Sequence, residues 1–134
     1  MHTMKPLIRI ACISLAALAL STSSMAQSQT PSTSPAVAAK LTVRGEAPDT
    51  FVPEIRIARK GDMLSVQSDL RNGGKKDQGL FYRYRWLDQS GNQYGSGDSW
   101  KQLNLLSMSQ QTIKGTAPHP SVSDFRLELS FESP

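Results

Sequence analysis

The stretch Phe81-Tyr-Arg-Tyr-Arg-Trp-Leu-Asp88 decides the fold class of this chain. In it, tyrosine and tryptophan alternate with Arg83 and Arg85. Because successive side chains of a β-strand point to opposite faces of a sheet, this two-residue period predicts a strand with one buried and one wet face. We expect the aromatic face, which carries Trp86, to supply the centre of a small β-sandwich.

The same two-residue period recurs along the chain in short segments, which glycine, proline and polar turns separate. The alternation is visible in residues 51–60, 63–70, 110–116 and 125–131. The sequence shows no amphipathic helix of useful length, so it predicts an all-β protein, an immunoglobulin-like β-sandwich of about seven short strands. The last of these segments should pair close to the central strand.

The first 26 residues have the three parts of a secretory signal peptide. A short positive region with Lys5 and Arg9 precedes the apolar run 10–20, and Ser24 and Ala26 frame a small-residue cleavage site. The apolar run has 11 residues, fewer than the ~20 that span a bilayer. We therefore predict cleavage after Ala26, export to the periplasm and no transmembrane segment in the mature chain.

Residues 27–39 are rich in Ser, Thr, Gln and Pro and lack charged and aromatic residues, which predicts a flexible leader before a folded domain at 40–134. The single cysteine, Cys12, lies inside the apolar run of the signal peptide. A lipoprotein carries its cysteine at the cleavage point, so Cys12 lies too early in the chain for a lipid anchor. Cleavage would leave a mature chain without a disulfide.

The charge balance gives little support for nucleic-acid binding. The whole chain has a formal net charge of +4, and removal of Lys5 and Arg9 with the signal peptide leaves +2. A nucleic-acid interface needs a clustered positive footprint, which a near-balanced chain does not supply. We therefore expect partners other than nucleic acids.

Blocks of sequence at characteristic spacing run through the predicted domain: Leu64-Ser-Val-Gln-Ser-Asp-Leu-Arg-Asn72, Tyr82-Arg-Tyr-Arg-Trp-Leu-Asp88 with Gly91, Trp100, Ala117-Pro118 and Asp124-Phe-Arg-Leu127. In these blocks, over about residues 53–130, the chain resembles the YcfL-like family of small bacterial periplasmic proteins of unassigned function. The resemblance implies an immunoglobulin-like sandwich, no known catalytic residue and a link to cell-envelope genes that include an activator of peptidoglycan synthesis. Many family members are lipoproteins, and this chain departs from them because it lacks the cleavage-site cysteine.

Three residues of the predicted domain could carry chemistry: His119, Met63 and Met108. A serine–histidine pair that uses His119 stays open, but no Gly-x-Ser-x-Gly elbow supports it. The three residues could also bind soft copper in an exported protein, although they are isolated in the sequence. Paired carboxylates would need a cleft, and we expect solvated surface instead for the acids in turns or on wet faces, Asp88, Asp98, Asp124 and Glu128.

The wet faces of the central and last strands carry Arg83, Arg85 and Arg126, which form a possible partner-binding face. With Glu128 they could build a charged ladder across neighbouring strands, of small value for stability. The functional alternative is an arginine patch that meets an acidic partner protein or an anionic envelope polymer.

The sequence leaves three hypotheses about function. The first is an exported, non-enzymatic accessory protein of the cell envelope that acts as a protein-interaction module and needs no cofactor. The alternative is a periplasmic small-ligand or copper-binding carrier. An enzyme such as a hydrolase ranks last, since no catalytic constellation is visible in the sequence.

Overall fold

The computed structural model describes residues 32–134 of the chain. The predicted signal peptide 1–26, its cleavage site after Ala26 and residues 27–31 of the predicted leader lie outside the described residues. The described part contains one helical turn and seven strands, in the order α1 (Pro35–Ala38), β1 (Leu41–Arg44), β2 (Thr50–Lys60), β3 (Met63–Asn72), β4 (Gln78–Leu87), β5 (Lys101–Leu105), β6 (Ser109–Thr116) and β7 (Asp124–Ser130). No helix in residues 32–134 has both the length and the apolar character needed to cross a lipid bilayer.

The strands form two sheets whose inner faces share one core. Sheet A has the order β1-β7-β4-β5, and sheet B has the order β2-β3-β6. The chain crosses between the sheets after β1, β3, β5 and β6, as connections do in immunoglobulin-like sandwiches. The predicted all-β sandwich is confirmed, and so is the pairing of the last strand, β7, with the central strand, β4.

The core is built around the aromatic face of β4, as the alternation predicted. Tyr84 and Trp86 are each 1% exposed, and their rings stack with centroids 5.4 Å apart. Phe125 of β7 meets the Tyr84 ring edge-on at 6.2 Å. The Tyr84 hydroxyl lies 2.9 Å from the hydroxyl of Ser68, and Nε1 of Trp86 donates to the carboxylate of Asp98 at 3.0 Å. The polar ends of both buried rings therefore have partners, which fixes their orientation.

The contacts of the domain begin before Lys40, the residue at which the sequence predicted its start. The backbone N–H of Val52 donates to Oγ1 of Thr33 at 3.0 Å, and Val37 of α1 packs against the core. Ser34 caps α1, because its hydroxyl accepts the N–H of Val37 at 3.3 Å. The last residues of the predicted leader thus contact both β1 and β2. One capping serine and one valine are too weak a signal to predict these contacts from the sequence.

An ion pair between a buried carboxylate and a more exposed arginine joins the strands of sheet B on its outer face. The side chain of Asp69 is 8% exposed, and Arg56 donates to its two oxygens at 2.7 and 2.9 Å. Oγ1 of Thr112 donates to the same carboxylate at 2.6 Å. These hydrogen bonds, first from Arg56 and then from Thr112, lower the pKa of Asp69 from 3.8 to about 2.

We expect the Asp69 pair to make the fold sensitive to acid. Because the pKa of Asp69 is lower in the folded chain than in the unfolded one, its contribution to stability is complete above about pH 4 and is lost as the pH falls toward about 2. The thermal midpoint of Asp69→Asn should be lower than that of the wild type at neutral pH. As the pH is lowered across this range, the midpoint of Asp69→Asn should fall less than that of the wild type. Asp62→Asn, in an exposed turn, is the control. An equal fall in Asp69→Asn and the wild type would contradict this assignment.

Candidate partner-binding face

The arginines predicted to share a face do so in the structure. Arg83 and Arg85 of β4 and Arg126 of β7 have the parity that points away from the core, onto the outer face of sheet A. In the register of β4 with β7, Arg83 lies directly opposite Glu128, and Arg85 lies opposite Arg126. Together with Trp100, which lies beside Arg83, we call these residues the arginine face.

Glu128 links the two arginines of β4. Its Oε2 accepts Nε of Arg83 at 3.0 Å, and its Oε1 lies 3.2 Å from Nε of Arg85. The Glu128 side chain is only 8% exposed, so the expectation that it is solvated surface is wrong. The two guanidinium groups of the neighbouring strand cover the carboxylate, and in turn the carboxylate holds both of them in place.

Trp100 holds the guanidinium of Arg83 from a second side. Cζ of Arg83 lies 4.5 Å from the centroid of the indole ring, a cation–π arrangement. Within residues 32–134, the hydrogen bonds of Arg83 involve Nε and leave Nη1 and Nη2 without a partner. An indole and a carboxylate therefore fix a guanidinium whose two terminal nitrogens match the geometry of a carboxylate on another molecule.

The other two arginines are tied within the fold. Arg85 donates to the side-chain oxygen of Gln93 from Nε at 3.2 Å and from Nη2 at 2.9 Å. Nη1 of Arg126 donates to Asp124 at 3.0 Å and to the carbonyl of Phe125 at 2.7 Å. Two carboxylates, those of Glu128 and Asp124, thus contact three guanidinium groups, and the face keeps a positive charge.

Asp124, the first residue of β7, also binds Lys40, which precedes β1. Its Oδ1 accepts Nζ of Lys40 at 2.7 Å and the backbone N–H of Phe125 at 2.8 Å. Burial disfavours the charged form of this carboxyl group, but the hydrogen bonds from Lys40, Phe125 and Arg126 outweigh that effect and lower the pKa of Asp124 from 3.8 to about 2. The carboxylate is therefore ionised at neutral pH and fastens β1 beside the arginine face.

The sequence did not identify Trp100 or Gln93 as neighbours of the arginines. Both lie in the segment between β4 and β5, where Gly95 and Gly97 have positive φ of 68° and 81°. The two-residue period stops in this segment, and the glycine turn decides which of its residues stand beside β4. The one signal in the sequence is an aromatic residue directly before the short apolar–polar alternation of β5.

Met63, Met108 and His119, the predicted copper ligands, do not come together. Met63 begins β3, and Met108 precedes β6 beside the other end of β3. The 10 residues of β3, at about 3.3 Å each, separate the two methionines by about 30 Å. The ring of His119 stacks on Tyr94 at a centroid distance of 5.2 Å. Nothing among the described residues favours the copper-binding alternative.

His119 does contact a serine. Its Nδ1 lies 2.8 Å from the hydroxyl of Ser121, and the same nitrogen accepts the backbone N–H of Ser121 at 3.1 Å. Because Nδ1 accepts this N–H, the proton of the neutral ring is on Nε2. No carboxylate of the described residues contacts Nε2. The pair is a local turn in an exposed loop, without the third group that orients a catalytic base.

An open groove of about 670 Å³ lies between the loop before β2 and the loop from β3 to β4. Asn72 lies at its floor and is 1% exposed. Its side-chain nitrogen donates to the carbonyls of Lys76 and Leu105, and its oxygen accepts the N–H of Gly74. The hydrogen bonds of Asn72 thus hold the loop from β3 to β4 in place. The groove is lined by charged residues of both signs, Asp49, Lys75, Lys76 and Asp77. This lining selects no single ligand charge.

The sequence of the chain matches the model of one protein family. The family described as "protein of unknown function (DUF1425)" matches residues 47–131. The chain belongs to this family. The resemblance found in the sequence, to a family of unassigned function over about residues 53–130, is confirmed at that level, while the YcfL-like name stays a prediction. A search of the curated proteins finds none that matches this DUF1425 protein.

Two crystal structures share the fold of this DUF1425 protein. Campylobacter jejuni cj0090 is 18% identical with a TM-score of 0.60, and the match covers 68% of this chain and 96% of that chain. A DUF1425 family member from Shewanella sp. pv-4 is 22% identical with a TM-score of 0.56, covering 64% of this chain and 84% of that chain. At these identities the likeness concerns the fold alone.

Proposed function

We propose that this protein is an exported, non-enzymatic accessory protein of the cell envelope that binds an acidic partner protein through its arginine face. The observation that carries the proposal is the fixed guanidinium of Arg83. Glu128 and Trp100 hold it on the outside of sheet A, and Nη1 and Nη2 have no partner within residues 32–134. A carboxylate of the partner can accept a hydrogen bond from each of these two nitrogens at once.

The setting of Arg83 favours binding over a purely structural role. Its side chain is 28% exposed, so part of the cost of removing water from it is already met in the folded chain. Trp100 adds an aromatic surface beside the charge, and interfaces are enriched in tryptophan and arginine. The exposed polar side chains of Gln102 and Asn104 on β5 extend the same outer face.

Two observations support the absence of an enzymatic role and the export of the chain. The serine–histidine contact at His119 is a local turn that lacks a third group to orient a base. The charged, apolar and small-residue parts of residues 1–26 support a cleaved signal peptide, and Cys12 lies too early for lipid attachment. Export therefore rests on the sequence and binding rests on the arginine face.

The binding proposal is tested by crosslinking in cells from a photoreactive residue at position 102, followed by mass spectrometry. We expect the wild type to capture one acidic envelope protein. Arg83→Lys with Arg85→Lys keeps both charges against Glu128 but removes the planar guanidinium groups, so capture should fall by about tenfold or more. Capture should also weaken with added salt, because the partner is held by charge.

The matched control is Arg59→Lys with Arg71→Lys, which makes the same chemical change on sheet B. It should capture as the wild type does. Equal capture by both double variants, with each still folded, would overturn the proposed face. The same spectra test export, since the captured chain should begin at Gln27, and an intact Met1 in the periplasmic fraction would contradict the predicted cleavage.

A further inference from the structure

Besides its arginines, β4 carries an aromatic side chain on the outer face of sheet A. The even-numbered residues from Leu80 to Trp86 belong to the core or pack against it. Phe81 has the parity of Arg83, so its half-buried ring points to the outer face. Within residues 32–134, Phe81 is not among the side chains that pack against the core. A partner on the arginine face therefore meets an aromatic ring next to Arg83.

The strands on either side of β4 set polar residues opposite Phe81. Gln102 of β5 lies directly opposite it on one side, and Ser130 of β7 lies opposite it on the other. Gln102 is exposed, whereas Ser130 is buried and donates its hydroxyl to the carbonyl of Glu132 at 2.7 Å. Neither of these two opposite residues supplies an apolar side chain to cover the ring. An apolar group of a partner can therefore pack on it.

Arg83 has two neighbours along β4 on the outer face, and they differ in their chemistry. Phe81 and Arg85 each lie two residues from Arg83, which is about 7 Å along a strand. Phe81 is aromatic, whereas Arg85 is charged and is held by Gln93 and Glu128. A group that accompanies a carboxylate on Arg83 thus finds an apolar surface on one side of it and a cation on the other.

We propose that the acidic partner carries its carboxylate on an extended segment, with an apolar side chain two residues away that packs on Phe81. Because Arg83 binds the carboxylate, this specificity rests on the proposed function, and Phe81 is the residue that selects among acidic segments. Side chains on one side of an extended chain are also two residues and about 7 Å apart. A segment that lies along β4 therefore brings its acid to Arg83 and its apolar side chain to Phe81 at the same time.

The energetics of the two contacts favour an acid with an apolar neighbour over an acid alone. A carboxylate bound to a partly exposed guanidinium is screened by salt, and such a pair by itself contributes little. An apolar side chain on Phe81 buries surface of both molecules and excludes water beside the pair. The spacing matters, because adjacent side chains of an extended chain point to opposite sides and cannot both reach Arg83 and Phe81. The order of residues in the partner, and not only its charge, then decides binding.

Selection of random peptides displayed on phage by the purified protein tests the inference. The enriched sequences should carry Asp or Glu with an aliphatic or aromatic residue two positions away. Selection by Phe81→Thr, in which threonine suits a strand, should keep the enrichment of acids and lose that preference. For one selected peptide, Phe81→Thr should raise the dissociation constant by about tenfold, and so should serine in place of the peptide's apolar residue. The two changes together should weaken binding no more than either alone, because both remove the same contact.

Two further variants are the controls. Phe81→Leu keeps an apolar side chain and should select the same sequences as the wild type. Phe51→Thr makes the matched change at a half-buried aromatic residue of sheet B and should also select as the wild type does. Enrichment of acids without an apolar residue at this spacing, or additive effects of the two changes, would overturn the inference and leave the proposed function standing. If acids are not enriched at all, the proposed function fails together with it.

Discussion

Replacement of Trp86 by alanine should lower the free energy of unfolding by about 3–5 kcal/mol, as large-to-small changes in a core do. The indole is 1% exposed and stacks on Tyr84, so its removal leaves a cavity that the two sheets cannot close without moving. The change also takes the Nε1–H donor away from Asp98, which now receives it at 3.0 Å. Urea unfolding of the purified variant measures the loss.

Trp100→Ala is the control for this prediction. Trp100 is the second tryptophan of the chain, and it lies against Arg83 on the outer face of sheet A. Its removal uncovers a side chain at the surface and opens no cavity between the sheets, so the loss of stability should be clearly smaller. A Trp86→Ala variant as stable as Trp100→Ala would show that the inward face of β4 is not the centre of the core.

Addition of a single methyl group at Gly115 should destabilise the fold by about 1–3 kcal/mol. A Cβ at this position of β6 would lie 2.4 Å from Cδ2 and 2.7 Å from Cε2 of Tyr84, closer than carbon atoms can approach. Tyr84 cannot move aside easily, because it is 1% exposed, packs against Trp86 and Phe125 and binds Ser68 through its hydroxyl. The free energy of unfolding of Gly115→Ala measures the clash.

Gly79→Ala is the matched control, because Gly79 also lies in a strand, β4, and a Cβ there would meet nothing within 4 Å. Since alanine restricts the unfolded chain more than glycine does, this variant should be as stable as the wild type or slightly more stable. If Gly115→Ala matched Gly79→Ala, the contact between sheet B and the Tyr84 ring would be looser than the distances indicate.

The sequence predicted well the features that depend on side-chain direction within one strand. The alternation around Trp86 placed the aromatic residues inside and the arginines outside, and both placements agree with the structure. The same rule found the segments that became β2, β3, β6 and β7. It missed the length of β3, which continues to Asn72, because that residue is polar and yet buried by hydrogen bonds to a loop.

The candidate site was predicted in its members but not in its geometry. Parity alone put Arg83, Arg85 and Arg126 on one face. The burial of Glu128 follows from its position opposite Arg83, a residue 45 positions away in the chain. The contact of Trp100 with Arg83 follows from the glycine turn before β5, in which the two-residue period is interrupted.

The sequence by itself determined the class of the fold and the inward face of each long strand, because the direction of a side chain in a strand is set by its own position in the alternation. Only the tertiary structure decided which strands are neighbours and in what register. Those properties arise from pairing between distant segments, so they brought Trp100 and Glu128 to Arg83.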